Sequence, residues 1–312
     1  MDLQTTDKKI KPVLAATVLP VAGGLDFVFI EYISAYIDSV SLVFLRLALI
    51  AILFLIVLKI KEKKLPFQKE DIPRFLIGGA LGSGLYYIIE AIGITLTGAS
   101  LSSLLFATVP LFGMIGDAIV YKNKITKVKL LGVLASIAGV AVILMGAEEG
   151  DFSGSLLGII LVLIAACCWV GYTIVAKPLN NKYSILAMTT GFFTAGALID
   201  LPLFLLYHPE HVLQLTPIQL ILIMAAAVLL IGISQLFYLY GVGRLAVTTT
   251  AIMMNLLPFT AVIVTWILFG TLLNTMQLLG GAVIIASITI VALADRPKVG
   301  AKEISSSKPK KQ

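Results

Sequence analysis

Long apolar runs follow one another along nearly the whole chain, and short polar segments separate them. Charged residues, Pro, Gly or Asn bound each run, as they bound membrane helices. Each run has about 18 to 25 residues, which as a helix spans the roughly 30 Å of a bilayer's hydrocarbon core. The runs cover residues 12–31, 40–58, 73–93, 99–121, 129–147, 155–176, 185–206, 217–241, 245–269 and 277–294. The pattern therefore predicts an all-α membrane protein with ten transmembrane helices.

The composition also indicates a chain embedded in lipid. Hydrophobic residues make up 59% of the chain and charged residues 13%, whereas soluble domains have about 25% charged residues. This excludes a soluble domain with a single core. Cys167 and Cys168 are adjacent within an apolar run, which suits neither a disulfide framework nor a thiolate metal site. Asp26 and the length of the first run, about 20 residues, indicate a retained helix and not a cleaved signal peptide.

Basic residues are confined to one side of the predicted membrane. Outside the apolar runs, Lys and Arg occur before the first run and after the second, fourth, sixth, eighth and tenth, and the alternate segments contain none. Because Lys and Arg resist translocation, both termini are predicted to be cytoplasmic in a cell membrane. Residues 1–11 then form a cytoplasmic N-terminal segment, and residues 295–312 a disordered, basic cytoplasmic tail. Topology thus explains the net charge of +6, and no nucleic-acid partner is predicted.

The two halves of the chain resemble each other at a fixed offset of 148 residues. At this offset Pro110 matches Pro258, and Gly93 matches Gly241. Leu130-Leu131-Gly132 likewise matches Leu278-Leu279-Gly280. The sequence therefore predicts two five-helix repeats, residues 12–147 and 155–294, joined by an external linker over residues 148–154. Because each repeat has an odd number of helices, the second must enter the membrane from the opposite side, which is an inverted repeat typical of carriers.

These motifs resemble the EamA-type family of the drug/metabolite transporter (DMT) superfamily across nearly the whole chain. The residues that carry the resemblance are Pro110-Leu111-Phe112, Leu131-Gly132, Ala138-Gly139-Val140, Pro258-Phe259, Leu279-Gly280, and Trp169, Gly171 and Lys177. The first half departs from the family pattern with Gly23-Gly24 and with Glu31 at the usual basic position, and Asn123 and Thr271 replace an acidic residue after the fourth and ninth helices. The resemblance implies ten helices, cytoplasmic termini, and a central cavity lined mainly by the first, third, fourth, sixth, eighth and ninth helices. It implies no fixed substrate.

Ionisable residues inside the runs are candidates for chemistry, because each is costly in hydrocarbon without a partner or a cavity. They are Asp26, Arg46, Glu90, Asp117 and Asp200, with Glu31, Lys177 and Arg244 near helix ends. Carboxylates outnumber the Arg46 guanidinium in the outer half, so Glu90 or Asp26 is predicted to carry a proton or bind a cation.

Each of these charges also has a structural interpretation. Glu31 could face the outer interface, Asp200 could cap a helix or snorkel, and Arg46 could be a structural counter-ion. In the inner half, Asp117 could pair with Lys177 or Arg244, which are otherwise ordinary interfacial anchors.

Polar and aromatic residues on the presumed cavity helices predict a small-molecule site, which needs apolar walls and a few convergent polar groups. The predicted cavity residues are Tyr86, Tyr87, Glu90, Ser102, Ser103, Phe106, Thr108, Trp169, Gln235, Tyr238 and Asn255. Pro110 and Pro258 are predicted to be paired hinges near Phe106, Thr108, Met254 and Asn255, because each proline removes a backbone donor. The alternative is that both prolines only shape helix packing.

The function predicted from these features is secondary transport of small metabolites, with export by alternating access and amino acids or amines as suitable substrates. No Walker A, HExxH or nucleophile-elbow motif occurs, so neither an enzyme, an ATP-driven pump nor a cofactor is predicted. No metal site is predicted either, and His208 and His211 are interpreted as a solvated loop. The expected partners are the substrate, the lipid bilayer and protons as coupling ion, with no particular oligomeric state. The alternatives are a translocator of lipid-linked metabolites and a non-transporting scaffold or sensor.

Overall fold

The computed structural model describes residues 3–63, 65–145, 155–207, 209–269 and 275–294, and within these residues it contains helices and turns but no strand. The predicted linker at 148–154, the tail at 295–312 and His208 lie outside the described residues. The α-helices are α1 (Leu3–Ile33), α2 (Ser39–Glu62), α3 (Ile72–Gly82), α4 (Gly84–Phe106), α5 (Val109–Val120), α6 (Lys127–Met145), α7 (Leu156–Leu179), α8 (Ile185–Leu206), α9 (Pro217–Ala226), α10 (Ser234–Val242), α11 (Val247–Met253), α12 (Leu256–Phe269) and α13 (Thr275–Ala294). Short 3-10 helices cover Lys69–Asp71 and Pro209–Gln214, and a π-helix over Ala227–Ile233 joins α9 to α10.

Within the part of the chain that the structure describes, six helical segments are long and apolar enough to cross a membrane. They are Lys11–Ile33, Ser39–Glu62, Lys69–Ala99, Leu156–Leu179, Ile185–Leu206 and Pro217–Val242. Shorter apolar helices cover Val109–Val120, Val247–Ala261 and Leu278–Val291. Helices lie on all ten predicted apolar runs, although α1 begins at Leu3, well before residue 12. The apolar pattern marks the hydrocarbon-embedded part of a helix, and α1 continues beyond it.

Several predicted spans are interrupted, each at a recognisable place. Ser83 separates α3 from α4 with φ −139° and ψ −72°. Gly98 lies within α4 but between the third and fourth predicted spans, and it has φ 77° and ψ 162°, a conformation that only glycine adopts without strain. Turns at residues 107–108 and 254–255 precede α5 and α12. The fourth and ninth predicted spans are therefore broken near their middle, just before Pro110 and Pro258.

The major helix contacts join elements before residue 145 to elements after residue 155. Helix α2 packs along α8, α6 along α13, and α4 along α7; α1 lies against α10 and α12, and α5 lies against α11. Close approach depends on small residues at these contacts. A Cβ on Gly24 of α1, for example, would lie 2.7 Å from the Leu257 carbonyl oxygen of α12. The core consequently lies between the two halves of the chain.

Candidate functional site

A central cavity lies where the two halves meet. Its walls are formed by Leu19, Pro20, Gly23, Asp26 and Phe27 of α1, Tyr86, Tyr87, Glu90 and Phe106 of α4, Trp169 of α7, Leu230 and Ile231 of the π-helix, Met254, and Leu257 of α12. The cavity volume is about 30 Å³, which holds one or a few water molecules. Pockets for metabolites are about 300–1,000 Å³. In the conformation described, the cavity is therefore too small for a metabolite.

A buried ion pair lies on one side of the cavity. Asp26 of α1 lines the cavity and accepts a hydrogen bond from Nη2 of Arg46 of α2. Arg46 is 1% exposed, and its guanidinium carbon lies 5.6 Å from the centre of the Phe29 ring. Arg46 therefore neutralises Asp26 at a buried edge of the cavity.

A second carboxylate, Glu90, lies with two tyrosines on one turn of α4. The Tyr86 hydroxyl donates a hydrogen bond to Oε1 of Glu90, and Glu90 is 2% exposed. The Tyr86 ring meets the Tyr87 ring edge to face at 4.8 Å and lies 5.1 Å from the Trp169 ring. Glu90 follows Tyr87 by three positions and Tyr86 by four, and residues at these spacings share one side of a helix, which explains why this short segment supplies three wall residues. The result is one carboxylate among aromatic faces.

Hydrogen-bonded side chains outside the cavity support Trp169. Its indole nitrogen donates to the Tyr238 hydroxyl over 3.1 Å, and that hydroxyl also lies 2.9 Å from the Thr173 hydroxyl. Gln235 donates to the Tyr172 hydroxyl over 2.5 Å. The bond from Trp169 to Tyr238 fixes the indole plane that faces the cavity, and Gln235 holds Tyr172, whose ring lies 5.4 Å from the indole. Tyr238 and Gln235 are therefore supporting residues and not wall residues.

The predicted cavity residues divide into two groups. Tyr86, Tyr87, Glu90, Phe106 and Trp169 line the cavity. Ser102, Ser103, Thr108, Gln235, Tyr238 and Asn255 do not line it. Ser102 lies 2.6 Å from the Thr97 hydroxyl, and Asn255 donates to the Ser136 hydroxyl over 2.7 Å.

Sequence reasoning missed most of the apolar wall. Leu19, Phe27 and Leu257 look like any lipid-facing or core residue in an apolar run. The one available signal is their position on the first and ninth predicted helices, which the family resemblance implies as cavity helices.

Asp117 connects α5 to the start of α11. Its carboxylate accepts hydrogen bonds from the Val247 amide at 3.3 Å, the Thr248 amide at 2.8 Å and the Thr248 hydroxyl at 2.7 Å. Asn123 donates to the same carboxylate over 3.4 Å. This carboxylate caps a helix N-terminus, where a negative charge is favourable.

The basic residues near Asp117 make contacts with backbone and aromatic rings. Lys177 donates to the Leu245 carbonyl and lies 5.4 Å from the centre of the Tyr121 ring. Arg244 donates to the Tyr240 carbonyl over 3.0 Å, and its guanidinium carbon lies 3.8 Å from that ring's centre. These contacts suit anchors at the ends of α7 and α10.

A polar cluster joins the two halves on the side of these basic residues. Asp71 accepts hydrogen bonds from Lys182, Arg74 and the Tyr183 hydroxyl at 2.9–3.2 Å. The Gln68 amide donates to the same hydroxyl over 3.1 Å. Burial raises the pKa of Tyr183 above its ordinary value. The cluster ties the segment before α3 to the segment between α7 and α8.

The carboxylates of Glu31 and Asp200 differ sharply in environment. Glu31 is exposed at the end of α1 and accepts a hydrogen bond from the Ala99 amide at 3.3 Å. Asp200 of α8 is 0% exposed, and neither of its carboxylate oxygens has a hydrogen-bond partner among the described residues. The interpretation of Asp200 as a capping or snorkelling residue is therefore wrong, because the side chain points into helix packing.

Comparison with known proteins decides the family. The sequence profile of the EamA-like transporter family matches twice, over residues 10–145 and over residues 156–293. The chain belongs to the EamA-like transporter family. As a family member with several apolar helices long enough to span a bilayer, it is a multi-pass membrane protein, and its relatives carry transporter names.

Two relatives are similar to the chain in sequence, and one solved structure is similar to it in fold. The chain is 27% identical to the uncharacterized transporter YdfC of Bacillus subtilis, over 80% of each chain. It is 26% identical to a "probable terminal-alkyne amino-acid exporter" of Streptantibioticus cattleyicolor, over 72% of this chain and 74% of that protein. One crystal structure has the same fold, with a TM-score of 0.75, 16% identity, and coverage of 91% of this chain and 97% of that one.

Proposed function

We propose that this EamA-like chain is a secondary carrier that exports small metabolites bearing an amino group, such as amino acids or amines, by alternating access. The observation that carries the proposal is the central cavity, where Glu90 lies among the rings of Tyr86, Tyr87 and Trp169. Aromatic faces and a carboxylate are the groups that attract an ammonium ion. The exporter of Streptantibioticus cattleyicolor, named for amino acids, supports this substrate class.

The architecture that we propose has ten membrane crossings in two inverted halves, residues 12–147 and 155–294. The family profile matches once in each half. The contacts between the halves also occur in equivalent pairs. Helix α1, the first of its half, packs against α10 and α12 in the third and fourth spans of the second half. Helix α7, the first of the second half, packs in the same way against α4 and α5 of the first half. A pseudo-two-fold axis in the membrane plane produces such pairs.

We predict that both termini and the segment after α2 face the cytoplasm. In a background without Cys167 and Cys168, Lys63→Cys should react with a membrane-impermeant maleimide only after the membrane is opened, because the basic segment stays inside. Tyr36→Cys, between α1 and α2, is the matched control and should react in intact cells. Labelling of position 63 in intact cells would overturn the orientation.

Alternating access needs gates, and the broken helices supply candidates for them. Phe106 and Met254 line the cavity at the breaks in the fourth and ninth spans: Phe106 directly precedes the turn at 107–108, and Met254 is the first residue of the turn at 254–255. Proline four residues after each, at Pro110 and Pro258, cannot donate to their carbonyls. Such carbonyls are tolerated at membrane depth only in protein or beside a wet cavity.

We predict that Pro110→Ala and Pro258→Ala slow transport but leave folding largely intact. Alanine restores a backbone donor and favours a continuous helix, which should hinder bending at either break. Turnover in proteoliposomes measures the effect, and the melting temperature of the purified variant reports folding. Wild-type turnover in both single variants and in the double variant would leave only the packing role.

A screen of ligand binding tests the substrate class. Amino acids and amines are added to the detergent-solubilised protein, and binding raises the apparent stability by about 2.7 kcal/mol at 100 times Kd. Stabilisation by amino-bearing metabolites, lost in Trp169→Ala, supports the proposal. Stabilisation by lipid-linked metabolites alone would favour a lipid-linked translocator, and no response to any metabolite would favour a scaffold or sensor.

A further inference from the structure

We propose that Asp200 is a proton-binding site outside the central cavity, located where α8 packs against the break between α3 and α4. Asp200 is absent from the cavity wall. The inference therefore goes beyond the proposed substrate site and holds whichever metabolite is carried.

The environment of Asp200 excludes a stable negative charge. Its side chain is fully buried, and neither Oδ1 nor Oδ2 has a hydrogen-bond partner in the described part of the chain. A buried charge persists in proteins only when it is paired or hydrogen-bonded, and otherwise the group neutralises. The neutral carboxylic acid is the form that fits this site.

The charged groups of the helices around α8 are engaged elsewhere. Arg46 of α2 donates to Asp26, Arg74 of α3 donates to Asp71, and Glu90 of α4 accepts from Tyr86. The remaining titratable groups on the facing parts of α4 and α10 are the tyrosines Tyr86, Tyr87, Tyr238 and Tyr240. The 3-10 helix that follows α8 carries Glu210 and His211, whose side chains lie outside the described part. None of the described groups donates a hydrogen bond to Asp200.

The carboxyl group lies against backbone at a tight helix contact. A Cβ on Gly84 would lie 2.8 Å from Asp200 Oδ1 and 3.0 Å from the Gly196 carbonyl oxygen. A Cβ on Gly196 would likewise lie 2.8 Å from the Gly84 amide nitrogen. Gly84 is the first residue of α4 and follows the break at Ser83. The backbones of α8 and of the α3–α4 junction therefore touch beside this one carboxyl group.

Protonation of Asp200 should therefore be coupled to this contact. When the group is neutral, the two glycine backbones can close around it without burying a charge. When it loses its proton, the charge must gain water or a donor, and the contact has to loosen. Proton binding would thus stabilise the packing of α8 on the α3–α4 junction.

Infrared spectroscopy of protein labelled with ¹³C at the aspartate side-chain carboxyl tests the protonation state directly. At neutral pH the wild-type protein should show a carboxylic-acid C=O band that shifts with the label. Asp26, Asp71 and Asp117 accept hydrogen bonds from cations or amides, so they should absorb as carboxylates. The band should be retained in Glu90→Gln and lost in Asp200→Asn. Absence of the band in wild type, or its survival in Asp200→Asn, would overturn the assignment.

Thermal unfolding against pH gives a second test on the same proteins. The folded state holds a proton at Asp200 that the unfolded state releases above about pH 4, so the melting temperature of wild type should fall as the pH rises from about 4 to the pH at which the folded group ionises. Asp200→Asn, which keeps the shape and cannot ionise, should lose this part of the slope, whereas Glu90→Gln should keep it. If sodium chloride, but not choline chloride, restores the wild-type melting temperature at alkaline pH, the site binds a metal cation and the proton assignment is wrong.

Discussion

Arg46→Gln should destabilise the protein by about 3–5 kcal/mol, the usual cost of removing one partner from a buried ion pair. Arg46 is 1% exposed and Asp26 is 5% exposed, so little water can reach Asp26 to replace the lost guanidinium. Glutamine keeps much of the side-chain length and can donate one hydrogen bond, but it leaves the Asp26 charge uncompensated. Denaturant unfolding of the purified protein in detergent measures the change.

A double variant separates the charge effect from the packing effect. Asp26→Asn combined with Arg46→Gln removes both charges, so it should recover much of the lost stability, because a neutral pair can replace a buried ion pair at little cost. If the double variant is as unstable as Arg46→Gln alone, packing of the arginine stem explains the loss. A single variant as stable as wild type would mean that the ion pair contributes nothing.

Glu90→Gln should abolish the pH dependence of transport and weaken binding of amino-bearing substrates by about 10- to 150-fold. The second figure corresponds to the 1.5–3 kcal/mol of a hydrogen bond to a charged group. Glutamine has the same shape and can still accept a hydrogen bond from Tyr86, but it neither titrates nor attracts a cation. Transport rates across a pH series and substrate affinities in the same proteoliposomes measure both effects.

Glu31→Gln is the matched control for this prediction. Glu31 is a carboxylate at the exposed end of α1 and is absent from the cavity wall, so its removal should leave the pH profile unchanged. An unchanged profile in Glu90→Gln would make Glu90 structural. Asp26, the other carboxylate of the cavity wall, would then be the group to test.

The helices were predictable from sequence because lipid imposes a simple length and polarity rule on each apolar run. Breaks in the helices within these runs were harder to predict from the sequence. Ser83 and the π-helix over Ala227–Ile233 lie inside continuous apolar stretches, where hydropathy alone carries no information on backbone continuity. The break before Pro110 could be predicted from the sequence, because proline has no backbone N–H and therefore interrupts the hydrogen bonding of a helix.

The candidate site was predictable where polarity was unusual for a membrane helix. Glu90 and Asp26 stood out for this reason, and both line the cavity. Gln235 and Asn255 stood out equally, yet they bond to Tyr172 and Ser136 outside it. Counting residues from a helix end gives depth in the bilayer, but the direction in which a side chain points depends on how its helix is packed. Asp200 is a further example, because its position in the sequence did not show that its side chain is buried between helices.

Counterflow in proteoliposomes tests the central claim most directly. Vesicles loaded with an unlabelled amino acid or amine that stabilises the protein are diluted into the same compound in radiolabelled form. A carrier that alternates access to one cavity should accumulate label transiently, faster than protein-free vesicles, and Glu90→Gln should reduce this accumulation whereas Glu31→Gln should not. Label uptake equal to that of protein-free vesicles would contradict carriage through this cavity.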